Sequence, residues 1–262
     1  MTTDWLLVIG GFALLLGGGE VVVQGAIVLA RKMKVPPLLI GFTIVAIGTS
    51  LPELAVSLEA VAGGQPDLAV GGVLGSNVAN VMLVLGTASF LGAASDPGEG
   101  VRRDAMAMML STLILLAMVI YGEVTWYFGI LMLSILVGYY TYSYVNSKED
   151  AERELEESWV PDSVLTSMAV TLIGGALIWK GAEFLVDGAT GIATDMGISE
   201  AVIGLSVVAL GTSLPELAVT LVAGLRGQGG VAVGNVLGSN MMNILGILGA
   251  TAAIGGGILV SP

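Results

Sequence analysis

The chain consists of long apolar stretches separated by short polar breaks. Eight stretches are long enough to cross a bilayer, since a transmembrane helix needs roughly 20 mostly apolar residues. They cover about residues 5–30, 37–62, 68–92, 104–121, 125–145, 163–187, 199–224 and 230–256. The breaks carry turn chemistry, such as the glycine- and proline-containing run 63–67. The pattern therefore predicts an all-α, polytopic membrane protein with about eight transmembrane helices.

Composition narrows the chemistry that such a protein can perform. Charged residues make up only 11% of the 262 residues, against about 25% in soluble domains, and the mean hydropathy is +0.92. The net charge of −12 disfavours nucleic-acid binding. The absence of Cys and His excludes disulfides, Cys-type zinc sites and histidine proton relays. Any site must use carboxylates, amides, hydroxyls and backbone groups, and we expect no cofactor and no protein partner.

The basic residues indicate an orientation in the cell membrane. Eight of the nine lie in the breaks that follow spans 1, 3, 5 and 7, and Lys180 alone falls inside a span. The positive-inside rule places these breaks in the cytoplasm and predicts an N-terminus outside. The first span lacks a basic leader and an obvious cleavage site, so we expect it to be retained. The acidic segment 146–162 is predicted to be a solvated cytoplasmic linker, with a regulatory cation site as the alternative.

An internal repeat relates the two halves of the chain. Residues 41–92 and 204–255 align without a gap at an offset of 163, with about 28 of 52 positions identical. Five spans separate the starts of the copies, and an odd number reverses the second copy in the membrane. Inverted repeats are typical of secondary transporters that bind substrate near the membrane midplane. We expect a first repeat over 1–145, a linker over 146–162 and a second repeat over 163–262.

The first duplicated motif, Gly-Thr-Ser-Leu-Pro-Glu, occupies residues 48–53 and again 211–216. Proline has no N–H and clashes with the carbonyl four residues back, so each motif opens its helix. Freed backbone at membrane depth is tolerated where it lines a cavity. An ionised Glu at the bilayer centre costs at least ~2.5–3.5 kcal/mol. Glu53 and Glu216 are therefore predicted to meet a ligand, or to be protonated and structural.

The second duplicated motif places a hydroxyl and an amide on one helix face. Ser76 and Asn80 are four residues apart, as are Ser239 and Asn243. Hydrogen bonding between helices is the alternative role for such side chains. Together the motifs supply an oxygen cage with two carboxylates, which suits hard cations such as Ca²⁺ and Na⁺. No Lys or Arg stands beside the motifs, which disfavours anion transport.

Two further acidic residues, Glu20 and Glu183, lie in spans at positions related by the same offset. The sequence leaves two roles open for them. They could act in ion access or gating, or they could be structural residues near the lipid interface.

These motifs resemble the α-repeats of the sodium/calcium exchanger family of the cation/Ca²⁺ antiporter superfamily. The resemblance implies that Glu53 and Glu216 bind Ca²⁺ together with the carbonyls of Thr49 and Thr212. It implies that Asn80 and Asn243 line the central site. It also implies that two main-chain carbonyls help to bind Na⁺, those of Ala46 and Ala209. Four hydroxyls complete this set, those of Ser50, Ser213, Ser76 and Ser239. In this family the two ions compete for overlapping sites, and the first and sixth helices slide to alternate access.

The chain departs from the family pattern in two ways. Members resembling it often carry Asp at the place of Asn243, characteristically the K⁺-dependent ones, so Asn argues against K⁺ dependence. The family has ten helices, five in each copy, and a complete second copy would reach about residue 308. The chain ends at Pro262, so we expect the counterparts of spans 4 and 5 to be missing from the second half.

The residues favour a Na⁺-coupled Ca²⁺ antiporter and not an enzyme. A H⁺/Ca²⁺ exchanger would use the same two carboxylates, but a proton needs no cage of hydroxyls. A cation channel is the alternative from another class, although channels usually build filters from several subunits. An intramembrane hydrolase is disfavoured because the GxGD and HExxH motifs are absent and no GxSxG elbow is suitably placed.

Overall fold

A computed structural model describes residues 2–95, 98, 100–147, 158–199 and 209–259, and these are almost entirely helical. The helices are α1 (Thr2–Met33), α2 (Pro37–Thr49), α3 (Leu51–Ala62), α4 (Pro66–Phe90), α5 (Val101–Tyr121), α6 (Trp126–Asn146), α7 (Val164–Asp195), α8 (Ala209–Gly211), α9 (Leu214–Leu225) and α10 (Gly229–Gly255). A 3₁₀ turn (Ala93–Ser95) and two strands, β1 (Glu123–Thr125) and β2 (Gly257–Leu259), complete the described elements. The predicted all-α class is confirmed.

Most of the predicted membrane spans are present as helices. Within the described ranges, α1, α4, α5, α6, α7 and α10 are long and apolar enough to cross a membrane. The pair α2 and α3, bent by 44° at the break between them, is also long and apolar enough when taken together, and counts as a seventh span when the two helices are taken as one. The remaining predicted span, 199–224, contains α8 and the 12-residue α9, and its residues 200–208 lie outside the described part. The polytopic membrane architecture is therefore confirmed, with seven spans found for the eight predicted.

Helices α1 and α7 pack against each other as an antiparallel pair. A Cβ atom on Gly11 would lie 2.7 Å from the carbonyl oxygen of Gly181, and one on Gly18 would lie 2.9 Å from that of Gly174. Small residues permit such close backbone approach in membranes. These two helices occupy corresponding positions in the two copies, so their opposite directions agree with the inverted repeat.

Helix α10 lies at the centre of the described bundle. In its most apolar 18-residue stretch 94% of the residues are buried, against 33% in α4, its counterpart in the first copy. Helix α2 runs parallel to it, and a Cβ on Gly41 would lie 2.5 Å from the carbonyl oxygen of Val231. Helix α6 packs on it through Gly129 and Gly249. The second-copy motif on α10 is therefore held in the interior.

A small β-ribbon was not predicted from the sequence. Strand β1 pairs with β2 in antiparallel fashion, with Val124 opposite Ile258. Both side chains are buried, so the ribbon ties the α5–α6 connection to the segment after α10. Strands of three residues are too short to give a recognisable alternation of apolar and polar residues.

The predicted linker 146–162 is described only at its ends. Asn146 is the last residue of α6, and residues 148–157 lie outside the described ranges. Near the far end, Asp162 forms ion pairs with Lys32 and with Arg31, the latter at 3.0 Å. The hydrogen bond from Lys32, followed by that from Arg31, holds the pKa of Asp162 below its ordinary value. The end of the segment is thus attached to the last turn of α1.

Candidate cation site

The first motif breaks its helix in the same way in both copies. Helix α2 ends just before Ser50, and α3 starts with Pro52 in its first turn, where a missing N–H is tolerated. Ser50 has φ −89° and ψ 5°. In the second copy Ser213 has φ −88° and ψ 0°, and Pro215 lies in the first turn of α9. Glu53 and Glu216, which follow these breaks, therefore project from turns of the same backbone conformation.

Both carboxylates of the first motif are buried and only partly hydrogen bonded. Oε1 of Glu53 accepts a hydrogen bond from Ser76 at 3.4 Å, and Oε1 of Glu216 accepts one from Ser50 at 3.3 Å. Oε2 of each has no partner among the described residues. The two carboxylates are also close enough for the negative charge of Glu216 to repel a negative charge on Glu53. Two buried carboxylates that repel each other require a cation or a proton to offset the cost of burial.

The asparagines of the second motif also direct unpaired atoms inward. Asn243 donates to Oγ of Ser76 at 3.1 Å and to Oδ1 of Asn77 at 3.0 Å. Its own Oδ1 is buried and lacks a partner within the described ranges. Asn80 is fully buried, and neither of its amide atoms is hydrogen bonded there. Both amides can therefore accommodate an additional ligand.

Each asparagine lies where its helix widens into a π-helical turn. The turn Asn80–Val84 interrupts α4, and Met242–Leu248 interrupts α10 at the corresponding place. A third π turn, Gly41–Val45, precedes the first motif in α2. Such turns cost regular hydrogen bonding and often occur at functional sites. The widened turns give the two asparagines the same local setting in both copies.

Buried polar atoms without a partner are concentrated in these motifs. In the part of the chain that the structure describes they include Oε2 of both glutamates, both amide atoms of Asn80, Oδ1 of Asn243 and Oγ of Ser213. Buried polar atoms are normally hydrogen bonded, so each exception requires an explanation. The described ranges contain no group of three or more acidic side chains placed so that they could hold one metal ion together. A cation held here would rely on two carboxylates and neutral oxygens.

The structure places the remaining predicted ligands around the same two breaks. The carbonyl of Ala46 accepts hydrogen bonds from the Thr49 hydroxyl at 3.3 Å and from the main-chain N–H of Ser50 at 3.0 Å. The Thr49 hydroxyl is also 3.3 Å from Oγ of Ser239. Thr212 lies in the turn before α9 and is partly exposed, and Ala209 begins α8, with its side chain outside the described set.

Contacts within the site repeatedly join the two copies. Ser50 of the first copy donates to Glu216 of the second, and Asn243 of the second copy donates to Ser76 of the first. Neither copy therefore forms its part of the site alone. An ion bound among these atoms would contact both halves of the molecule.

Sequence reasoning missed one buried polar residue beside the motifs, Asn235. It lies on α10, is fully buried and contacts Thr49. Its counterpart in the first copy is Gly72, so a search for duplicated polar residues passes over it. The signal in the sequence is a polar amide inside an otherwise apolar helix. Burying such a group in a membrane costs free energy, so its presence there indicates a specific partner or a function.

The repeat-related acids Glu20 and Glu183 have different partners. Glu20 forms an ion pair with Arg226 and accepts a hydrogen bond from Gln24 at 3.0 Å. It lines a cleft of about 600 Å³ between α1 and the end of α9. Glu183 instead pairs with Lys180 of its own helix at 2.8 Å. One acid therefore links two helices, whereas the other is paired within one.

Comparison with known proteins gives matches that run through both copies. A family model described as "Sodium/calcium exchanger protein" matches residues 3–145 and 166–262. The chain is 35% identical over 265 residues to the putative antiporter CaxA of Alkalimonas amylolytica, covering 99% of this chain and 83% of that protein. It is 32% identical over 288 residues to the sodium/calcium exchanger MaX1 of Methanosarcina acetivorans, covering 95% and 82%. The solved sodium/calcium exchanger from Methanococcus jannaschii matches with a TM-score of 0.80 at 30% identity, covering 99% of this chain and 84% of that one.

Proposed function

The chain belongs to the sodium/calcium exchanger family, a family of cation/Ca²⁺ antiporters, and from that premise we propose that it exchanges Na⁺ for Ca²⁺ by alternating access. The observation that carries this proposal is the cluster of buried, unpaired oxygen atoms around Glu53 and Glu216. Two carboxylates would neutralise one Ca²⁺, and Ca²⁺ takes about 6–8 oxygen ligands. Amides and hydroxyls beside the carboxylates supply neutral ligands.

We assign Ca²⁺ to the centre of the site, between the two carboxylates and the carbonyls of Thr49 and Thr212. Asn80 and Asn243 line this centre with amide groups. Na⁺ takes positions on either side, with ligands from the carbonyls and hydroxyls of Ala46, Ala209, Ser50, Ser213, Ser76 and Ser239. Because these positions share the two carboxylates, occupation by one ion weakens binding of the other.

Alternating access follows from the relation between the copies. We assign residues 1–145 to the first copy, 146–162 to a cytoplasmic linker and 163–262 to the second copy. The antiparallel α1–α7 pair is the element proposed to slide across the motif helices. Its stripe of glycines supports movement as one unit, because the two backbones are in close contact. The eight basic residues in alternate breaks support an N-terminus outside the cell.

Coupling to Na⁺ is favoured over coupling to H⁺ by the hydroxyl groups of the site. Ser50 and Ser76 point their hydroxyls at the carboxylates, and Ser213 has a buried hydroxyl with no partner in the described part. A carboxylate can take up a proton without such neighbours, whereas Na⁺ needs several oxygen ligands. A H⁺/Ca²⁺ exchanger remains the alternative that uses the same two acids.

Competition between the ions tests this proposal directly. Binding of ⁴⁵Ca²⁺ to the purified full chain is measured while Na⁺ or choline is raised at constant ionic strength and pH, and in a second series while the pH is lowered without Na⁺. We expect Na⁺ to displace Ca²⁺ and choline to leave it bound. Displacement by acid alone, with Na⁺ no better than choline, would favour the H⁺-coupled alternative.

A further inference from the structure

One buried amide beside the site belongs to neither motif. Oδ1 of Asn235 accepts a hydrogen bond from the Thr49 hydroxyl at 3.2 Å. Its Nδ2 donates to the main-chain carbonyl of Glu216 and to the hydroxyl of Thr220, each at 3.3 Å. Asn235 and Thr220 are fully buried. One side chain of α10 therefore connects the Thr49 turn of the first copy to the Glu216 turn of the second.

Besides the Glu216 carboxylate, with which it also interacts, the Thr49 hydroxyl has three acceptors within reach. Its oxygen lies 3.2 Å from Oδ1 of Asn235, 3.3 Å from the carbonyl oxygen of Ala46 and 3.3 Å from Oγ of Ser239. A hydroxyl carries a single proton to donate. When Asn235 accepts this proton, the Ala46 carbonyl keeps one lone pair free beside the bond it accepts from the Ser50 N–H, and Oγ of Ser239 does not have to accept the Thr49 proton. These are two of the oxygens that the proposed function assigns to Na⁺.

The first copy cannot make the same arrangement. The residue that corresponds to Asn235 is Gly72, where an added Cβ would meet no heavy atom within 4 Å. Thr212, the counterpart of Thr49, therefore faces no amide from this position. The two halves of the site differ at this point although their motifs are nearly identical.

We infer that Asn235 is a positioning residue that draws the Thr49 proton away from the oxygens of Ala46 and Ser239, and thereby sets the Na⁺ affinity of one half of the site. The inference rests on the proposed Na⁺/Ca²⁺ exchange. Ca²⁺ depends less on this proton, because its assigned ligands are the two carboxylates and the carbonyls of Thr49 and Thr212. Asn235 itself contacts no ion in this arrangement.

The test compares the two ions in the Asn235→Ala variant of the full chain. The Na⁺ concentration that displaces half of the bound ⁴⁵Ca²⁺ should rise about fivefold, the size expected for one redirected hydrogen bond. The affinity for Ca²⁺ without Na⁺ should change by less than about twofold. If Asn235 only supported the fold, Asn235→Ala would weaken the binding of Na⁺ and of Ca²⁺ to a similar degree. Should Asn235→Ala not fold, Asn235→Leu removes the same acceptor and keeps the branched shape and the number of side-chain heavy atoms.

Three matched variants distinguish the effect of redirecting the Thr49 proton from the general effect of a substitution near the site. Gly72→Ala changes the corresponding position of the first copy, and Thr220→Val removes one acceptor of Nδ2 but leaves the Thr49 contact. Both should keep the parental Na⁺ dependence. In a Thr49→Val background there is no proton to redirect, so Asn235→Ala should have no additional effect on Na⁺.

Two results would overturn the inference alone. One is equal weakening of both ions in Asn235→Ala while Na⁺ still displaces Ca²⁺ from the parent protein. The other is a Na⁺ effect of Asn235→Ala that persists without the Thr49 hydroxyl. A parent protein that binds neither ion would remove the proposed function itself, and this inference with it.

Discussion

Glu53 and Glu216 are the residues on which the proposed exchange depends most. Each is buried, and each has one carboxylate oxygen without a partner among the described residues. Glu53→Gln or Glu216→Gln should abolish Ca²⁺ transport, because the attraction between that carboxylate and Ca²⁺ is lost, and removing one partner of a buried, attractive charge pair costs about 2–5 kcal/mol. That cost corresponds to a loss of Ca²⁺ affinity of roughly 30-fold or more. Binding and uptake of ⁴⁵Ca²⁺ measure both effects.

The exposed acid Glu183 provides the matched control for these variants. Its carboxylate pairs with Lys180 on the outside of α7, so Glu183→Gln should retain Ca²⁺ transport. Normal transport by either Glu53→Gln or Glu216→Gln would contradict the assignment of the site.

Ser76 and Ser239 test whether Na⁺ has positions of its own. Ser76→Ala and Ser239→Ala each remove one hydroxyl ligand, which should weaken Na⁺ binding about fivefold and Ca²⁺ binding less. Na⁺ and Ca²⁺ titrations of ⁴⁵Ca²⁺ uptake measure the difference. Ser134→Ala is the control, since that hydroxyl is bonded to the Ile130 carbonyl on the exposed side of α6. Equal weakening of both ions would argue against separate Na⁺ positions.

The sequence identifies the duplicated residues of the site better than the unique one. Repetition at an offset of 163 singles out both glutamates, the hydroxyls and both asparagines of the motifs. Asn235 has no polar counterpart, and its contact with Thr49 arises from the packing of α10 against α2. A contact between residues 186 positions apart cannot be predicted from helical periodicity, which reports only neighbours within a helix.

At the scale of helices, the α1–α7 interface depends on glycines that allow the backbones to approach. A Cβ on Gly18 would lie 2.9 Å from the Gly174 carbonyl oxygen and 2.8 Å from a side-chain carbon of Ile178, whereas one on Gly17 would meet nothing within 4 Å. Gly18→Ala should therefore destabilise the protein by about 1–3 kcal/mol, as overpacking does. Gly17→Ala should be neutral or slightly stabilising, because Ala is the better helix former. Thermal unfolding in detergent compares the two variants, and equal stability would contradict the close pairing.

The ion pair between Glu20 and Arg226 connects α1 to the end of α9. If α1 slides past α9 during exchange, we expect this contact to break in each cycle, and we propose that Glu20 then acts in gating. An exposed ion pair stabilises by about 0.2–1 kcal/mol. Arg226→Gln should therefore shift the equilibrium between the two access states by roughly 1.5- to fivefold. Gly72 corresponds to Asn235 beside the site, and an added Cβ there would meet no heavy atom within 4 Å. Because the chain has no Cys, labelling of a single Gly72→Cys measures the accessibility of this position without background.

Lys180→Gln is the matched control for the ion pair. It removes the pair with Glu183, which lies within α7 and joins no second helix. Labelling of Gly72→Cys should be unaffected by this change. If Arg226→Gln also leaves labelling unchanged, Glu20 is a structural residue rather than part of a gate.

At the scale of the whole molecule, the hydropathy pattern and the repeat predict the architecture, and packing determines what they miss. The spans follow from apolar length alone, which is why seven are found where the sequence predicts them. The bend at Ser50 follows from Pro52. The unequal burial of α4 and α10 does not follow from the motif that the two helices share, because it depends on what packs around each of them.

The central claim is that a Na⁺ gradient drives Ca²⁺ across the membrane through this chain. The most direct test is ⁴⁵Ca²⁺ uptake into Na⁺-loaded liposomes that contain the protein, with the outward Na⁺ gradient present or replaced by choline with an opposing pH gradient. We expect saturable uptake that requires the Na⁺ gradient and is lost in Glu53→Gln. Uptake driven equally well by the pH gradient in the absence of Na⁺ would contradict it.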